Sequence, residues 1–193
     1  MRQVLVAIVL PVMVLSLSRL AAGQADPNSM DAELIDAATR GGTTAVQQLL
    51  QKGANIQAQD SHGDTPLILA AKNGQTAVVK LLLDKGANID ARNSERRTAL
   101  IWAASEPVNI RDKDNYTQVV KVLLDKSADI EAQDGYGYTA LIWATMKRNV
   151  GVVKLLLDKG AHTEPKDNTG RTAMDYAGGY TDIMQLLQDK AAQ

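Results

Sequence analysis

The stretch "GDTPLILAAKNGQTAVVKLLLDKGANIDA", residues 63–91, decides how the chain is read, because it holds two short helices together with their boundaries. Thr65 precedes an apolar run, where its hydroxyl can accept from the free amides of a helix start. Pro66 follows at the first helical position, where a missing N–H does no harm. Leu67 and Ala70 share one face of that helix, and Ala70 and Ala71 are small enough to admit a close neighbour. Asn73-Gly74 breaks it. Val78, Val79, Leu82 and Leu83 then form the stripe of a second helix, which Gly86 is placed to end in a left-handed conformation.

The same pattern recurs along the chain. "GYTALIWATMKRNVGVVKLLLDKGAHTEP" (137–165) aligns with it, as do "RRTALIWAAS" (96–105) and "TQVVKVLLDKSADIEA" (117–132). Thr65 and Thr98 are 33 residues apart, and so are Thr139 and Thr172. Between Thr98 and Thr139 lie eight extra residues, carried by "SEPVNIRDKDNYTQ" (105–118). Pro107 is expected to end the helix before this insert, and the charged run "RDKDN" to keep it in water. The next helix should begin near residue 117. A first unit, "LIDAATRGGTTAVQQLLQKGANIQAQD" (34–60), lacks the opening Thr but keeps the rest.

Residues 60–91 resemble the ankyrin repeat almost throughout, with D-x-x-G-x-T-P-L at the start and the L-L-x-x-G-A ending. The resemblance covers about residues 31–190, in five units at about 31–59, 60–92, 93–133, 134–166 and 167–190. It implies an all-α repeat solenoid of helix-turn-helix units joined by β-turn or hairpin fingers, one domain over 29–193. No single unit can bury its stripe alone, so stacked neighbours must share a continuous core. Asp36, Gln47 and Gln48 in the first unit, and the shortened fifth unit, read as caps. Arg96 stands where the family prefers Gly, and that finger is expected to be deformed.

The N-terminus differs from the array. Arg2 is followed by an uncharged apolar run from Val4 to Leu17 and then by Ala21, Ala22 and Gly23. That order is a secretory leader over 1–23, with cleavage after Gly23 or Ala25; an uncleaved anchor is the alternative. The apolar run is shorter than the ~20 residues a bilayer span needs. The export it implies points to the periplasm, with an extracellular location as the second reading, and to no membrane contact after cleavage.

Chemistry is sparse. The chain has no Cys, which removes disulfides and thiolate chemistry. Its net charge of −1, with Lys and Arg interspersed among acids, offers no stripe for nucleic acid. The two histidines, His62 and His162, lie about three repeats apart, too far for a metal site or a triad. "GYGY" (135–138) lacks the later glycines and Lys of a nucleotide loop. Asp112, Asp114 and Asn115 lack the Gly and final Glu of a calcium loop. Asn115-Tyr116-Thr117 reads as a glycosylation acceptor only for an exported eukaryotic chain. No catalytic residue, metal or cofactor is therefore expected, and the chain is not read as an enzyme.

The resemblance implies protein binding by a monomer, through finger tips and the inner-helix ends on the concave side. Mapped onto this chain, the candidates are His62, Asp64, Glu95, Arg97, Tyr136, Tyr138, Met146, Lys147 and Arg171, with Lys72 and Asn73 beside them. Tyr and Arg together suit an interface; a solvated turn surface is the plain alternative. Trp102 and Trp143 are expected to stack in the core, as Leu69 would at the matching place. The insert is a second contact surface or a tolerated loop. The expected function is exported, non-catalytic protein binding, with inhibition or protection of an exported enzyme as the alternative and an enzyme of unknown type as a minor one.

Overall fold

A computed structural model describes residues 27–105 and 113–192. The expected leader, Pro107 and Asp112 fall outside them. The described residues form ten helices and no strand: α1 (Pro27–Arg40), α2 (Thr43–Gln51), α3 (Pro66–Lys72), α4 (Thr76–Asp84), α5 (Ala99–Ser105), α6 (Lys113–Asp125), α7 (Ala140–Met146), α8 (Val150–Asp158), α9 (Ala173–Tyr176) and α10 (Thr181–Ala191). They pair as inner and outer helices of successive units. Each inner helix packs on the next inner one, from α1 through α3, α5 and α7 to α9, and each outer helix on the next outer one.

The apolar stripes predicted from spacing line the shared core. Leu82 and its equivalents Leu123, Leu156 and Leu187 are fully buried, and Leu49 nearly so, making one column along the outer helices. Leu67, Leu100 and Leu141 make a second along the inner helices. Alanines at 70, 71, 103, 104 and 144 are also fully buried, and their small size lets the inner layer close up. The hydroxyls of Thr65, Thr98 and Thr139 each accept from the backbone N–H three residues on, at 3.3 Å. Thr172 caps its helix in a capping box with Asp175. Its backbone N–H and hydroxyl both donate to the Asp175 carboxylate, at 2.7 and 2.8 Å.

The fingers repeat one hydrogen-bonded turn. Oδ1 of Asp60, Asn93, Asp134 and Asp167 accepts from the backbone N–H two and four residues later: His62 and Asp64, Glu95 and Arg97, Tyr136 and Tyr138, Thr169 and Arg171. Adjacent fingers are then joined through backbone bonds from Ser94 N–H to His62 C=O, Gly135 N–H to Glu95 C=O and Asn168 N–H to Tyr136 C=O. The deformation expected at Arg96 does not occur. Arg96 takes φ +61°, beside +76°, +82° and +83° for Gly63, Gly137 and Gly170, and its N–H bonds to Asn93 C=O at 2.8 Å as theirs do to the matching acids. The turn's hydrogen bonds hold Arg96 in a conformation that costs a side chain ~1–2 kcal/mol.

The insert also differs from expectation. α6 begins at Lys113, four residues before the predicted start, so the end of the insert becomes the first turn of a 13-residue helix where α4 and α8 have nine. That turn lies on the preceding unit. Tyr116 donates its hydroxyl to Lys72 C=O at 3.3 Å, Thr76 Oγ1 donates to Asn115 C=O at 3.4 Å, and the Tyr116 ring lies beside Gly74.

Two stability measurements follow from this packing. Leu82→Ala should lower the unfolding free energy by ~2–5 kcal/mol in urea titration, since the stacked column cannot collapse into the void. Ser127 ends α6 at φ +65°, where Gly86 and Gly160 end the neighbouring outer helices; Ser127→Gly should raise stability by about 0.5–1 kcal/mol.

Candidate functional site

Two rows of side chains meet on the face between the fingers and the inner helices. The finger row holds Asp64, Arg97, Tyr138 and Arg171, each four residues after its finger acid or amide. The helix row holds Leu69, Trp102, Trp143 and Tyr176, each four residues after the capping Thr. Because both rows advance one unit at a time, they interleave. The Lys72 ammonium sits 4.2 Å from the centre of the Trp102 ring. The Arg97 guanidinium lies 4.6 Å from Trp102 and 4.5 Å from Trp143, and the Lys147 ammonium 5.6 Å from Trp143. Tyr138 meets Trp143 and Tyr176 edge-on at 5.3 and 5.8 Å, and Arg171 covers Tyr176 at 4.6 Å. A cation over an aromatic face gains ~0.5–2 kcal/mol, most where water is excluded.

The tryptophans stand at the edge of the core: both are half-buried, Trp102 packs against the core as expected, and both rings also carry this column of cations. The candidates from the sequence also divide. Tyr136, at 60% exposure, is the one large apolar side chain open to solvent among the described residues. His62, Glu95, Lys147 and Arg171 are exposed, and Tyr138 and Met146 are half-buried, with Met146 packed against the core. Asp64 lies deeper than a contact residue would, at 2% exposed, while the Arg97 side chain keeps 13% of its surface exposed with its Nε closed off. His62 stands at the tip of finger two, the finger of unit two, beside Asp60, and His162 pairs with Glu131 at 3.4 Å, so the two do not converge.

What positions the finger row is the second side-chain atom of the finger acid, which no motif singled out. In finger three that atom is an amide. Asn93 Nδ2 donates to Asp64 Oδ1 of the preceding finger at 2.7 Å. In finger four it is a carboxylate. Asp134 Oδ2 accepts from Trp143 Nε1 at 2.9 Å and lies 3.4 Å from Arg97 Nε, also of the preceding finger. In finger five, Asp167 Oδ2 accepts from the Tyr176 hydroxyl, which also reaches the Tyr138 hydroxyl at 3.3 Å. Amide meets carboxylate, carboxylate meets guanidinium, and carboxylate meets phenol. The use of Asn93's amide for Asp64 has a local consequence: the buried Trp102 Nε1, whose counterpart bonds Asp134, has no acceptor among the described residues.

Burial pushes the Asp167 carboxyl up, but hydrogen bonds from Tyr176, Thr169 and the Arg171 and Thr169 amides outweigh it and hold the group well below the usual carboxylate range. Burial, then the hydrogen bond to Asp167, push the Tyr176 phenol above its ordinary value. Among the described residues no group of three or more His, Asp or Glu side chains is placed to hold a metal ion. Nor is any described helix long and apolar enough to cross a membrane.

Residues 34–134, and again 110–193, match the family model for ankyrin repeats (3 copies). The chain is an ankyrin-repeat protein. No curated protein matches it. Ankyrin repeats are a protein–protein interaction module, and proteins built from them are generally non-catalytic scaffolds. In this ankyrin-repeat protein the cation–aromatic column runs along the face between the fingers and the inner helices.

The buried pairings make two predictions. Asn93→Asp should set a second carboxylate against Asp64 and lower stability by on the order of 1–3 kcal/mol. Adding Asp64→Asn, which restores an amide–carboxylate pair with its sense reversed, should recover most of that loss in urea midpoints. Asp167 has a depressed folded-state pKa, so its stabilisation is present above the unfolded carboxylate pKa and lost as pH falls through the folded value. Asp167→Asn keeps the finger acceptor, as Asn93 does, and should flatten the decline in melting temperature below about pH 4.

Proposed function

We propose that this chain is an exported, non-catalytic monomer that binds another protein on its concave face, with Tyr136, Lys147 and Arg171 as the exposed contacts. The observation that carries this reading is the cation–aromatic column. It fixes long Arg and Lys side chains against rings, so their rotamer entropy is already spent before a partner arrives. Tyr136 stands at the rim of the column, its ring centre 6.0 Å from that of Tyr138. Such an exposed Tyr over a rigid support is what binding hot spots favour. A partner of standard size would bury roughly 1,200–2,000 Å² in total.

Buried Asp64 enters this reading as a support for the surface. Tyr138 serves both ways, since its ring holds Trp143 and Tyr176 in place. Export rests on the leader composition of residues 1–23, and it places the partner in the periplasm, with the extracellular space as the alternative.

Crosslinking in cells followed by mass spectrometry tests the surface. Tyr136→Ala, which removes an exposed ring and leaves the column intact, should reduce recovery of the crosslinked partner several-fold at unchanged melting temperature. Equal recovery from the variant and the parent would place the contact elsewhere. Sequencing the N-terminus of the mature protein tests export, with Gln24 or Asp26 the expected first residue.

A further inference from the structure

We propose that the partner presents an acidic segment, and that Arg97, clamped between Trp102 and Trp143, receives one of its carboxylates, flanked by Lys72 and Lys147. The proposal rests on the concave-face reading above and adds the chemistry of the partner.

The clamp determines what Arg97 can do. Its guanidinium is held between two indoles, so the plane of its donors is fixed. Its Nε is buried, 3.2 Å from Glu95 Oε2 and 3.4 Å from Asp134 Oδ2. Among the described residues nothing hydrogen-bonds its two terminal nitrogens, and they are not among the closed-off polar atoms. A guanidinium fixed in plane with its outer edge open is a fork that matches a carboxylate with two parallel hydrogen bonds. A free surface Arg would lose conformational freedom on binding; this one loses little.

The charge arrangement points the same way. Three cations and three carboxylates meet here, yet they are not level. Asp134 and Asp64 are buried beneath the cations, with Asp64 3.7 Å from Lys72. Glu95 is the one exposed acid of the group, and it lies on the Nε side. Lys147 is exposed and has no carboxylate partner among the described residues. Arg171 adds a further half-exposed cation along the same face. The negative ends therefore face inward and the positive ends outward. Each indole also already carries two cations, and a nucleobase, which binds by stacking on an open aromatic face, finds that platform occupied.

The test uses the full chain, whose two tryptophans are both in the clamp, so intrinsic emission reports on this site alone. A short blocked peptide alternating Glu and Ser should shift the emission saturably and bind about tenfold tighter than its Gln/Ser counterpart, a preference that fades at high salt. Lys147→Glu, at an exposed position, should weaken the Glu/Ser peptide about tenfold with unchanged circular dichroism. Arg97→Lys, which keeps the charge and loses the fork, should weaken it further. Equal binding of the Glu and Gln peptides, an unaltered Lys147→Glu affinity, or tighter binding of a single-stranded oligonucleotide would each overturn the proposal. If acid preference is absent while partner capture still depends on Tyr136, only the acidic chemistry falls; if capture is also indifferent to Tyr136, the concave-face reading falls with it.

Discussion

One oxygen of a short side chain, taking two backbone amides, sets the shape of every finger. Asp60, Asn93, Asp134 and Asp167 each do this with Oδ1. The turn is closed from inside, so the backbone groups that would otherwise be orphaned at each reversal are satisfied. A closed finger leaves its edge amide and carbonyl free for the next finger, and the row of fingers becomes continuous. The stacking of helices behind them needs this constancy, because each apolar stripe is buried only by a neighbour at the right offset.

The second atom of the same side chain is where the units stop being identical. From Asn93 and Asp134 it reaches back to the preceding finger, to a carboxylate and a guanidinium, and from Asp167 it meets the Tyr176 phenol of its own unit. Those pairings hold Arg97 and Tyr138 against the tryptophans, and the tryptophans hold the lysines. The face between fingers and inner helices is thus an extension of the interior: its exposed groups are immobilised by buried ones. That differs from a surface of solvated Lys and Arg, where ordering the side chains would cost most of what a contact returns.

Much of the architecture was legible in the sequence because it depends on local rules. The helix pairs follow from apolar spacing around Leu82 and its equivalents, and the four Thr residues cap their helices as their position implies. The misreadings have a common cause. Asp64, Asn93, Arg97 and the two tryptophans depend on contacts between neighbouring units, 29 residues apart for Asp64 with Asn93 and 46 for Arg97 with Trp143, and a motif describes one unit at a time. Arg96 misled for a related reason, since a preference for Gly at a turn is a preference, and the acid-closed finger overrides it. The one available signal was the exception within the repeat. Asn93 breaks the series Asp60, Asp134, Asp167, and it does so directly after the unit whose finger carries Asp64.

Asn93 also bears on how such an array can change over generations. Repeat proteins lengthen when a unit is copied in place beside its parent. A second copy of residues 60–92 set after the first would bring the counterpart of Asp60 to where Asn93 now stands, facing Asp64 with a carboxylate instead of an amide. The copy would begin its history with two buried anions in contact and would persist only after a compensating change. Unit two is in this sense a place where the array resists growth, although its sequence is the one closest to the common pattern.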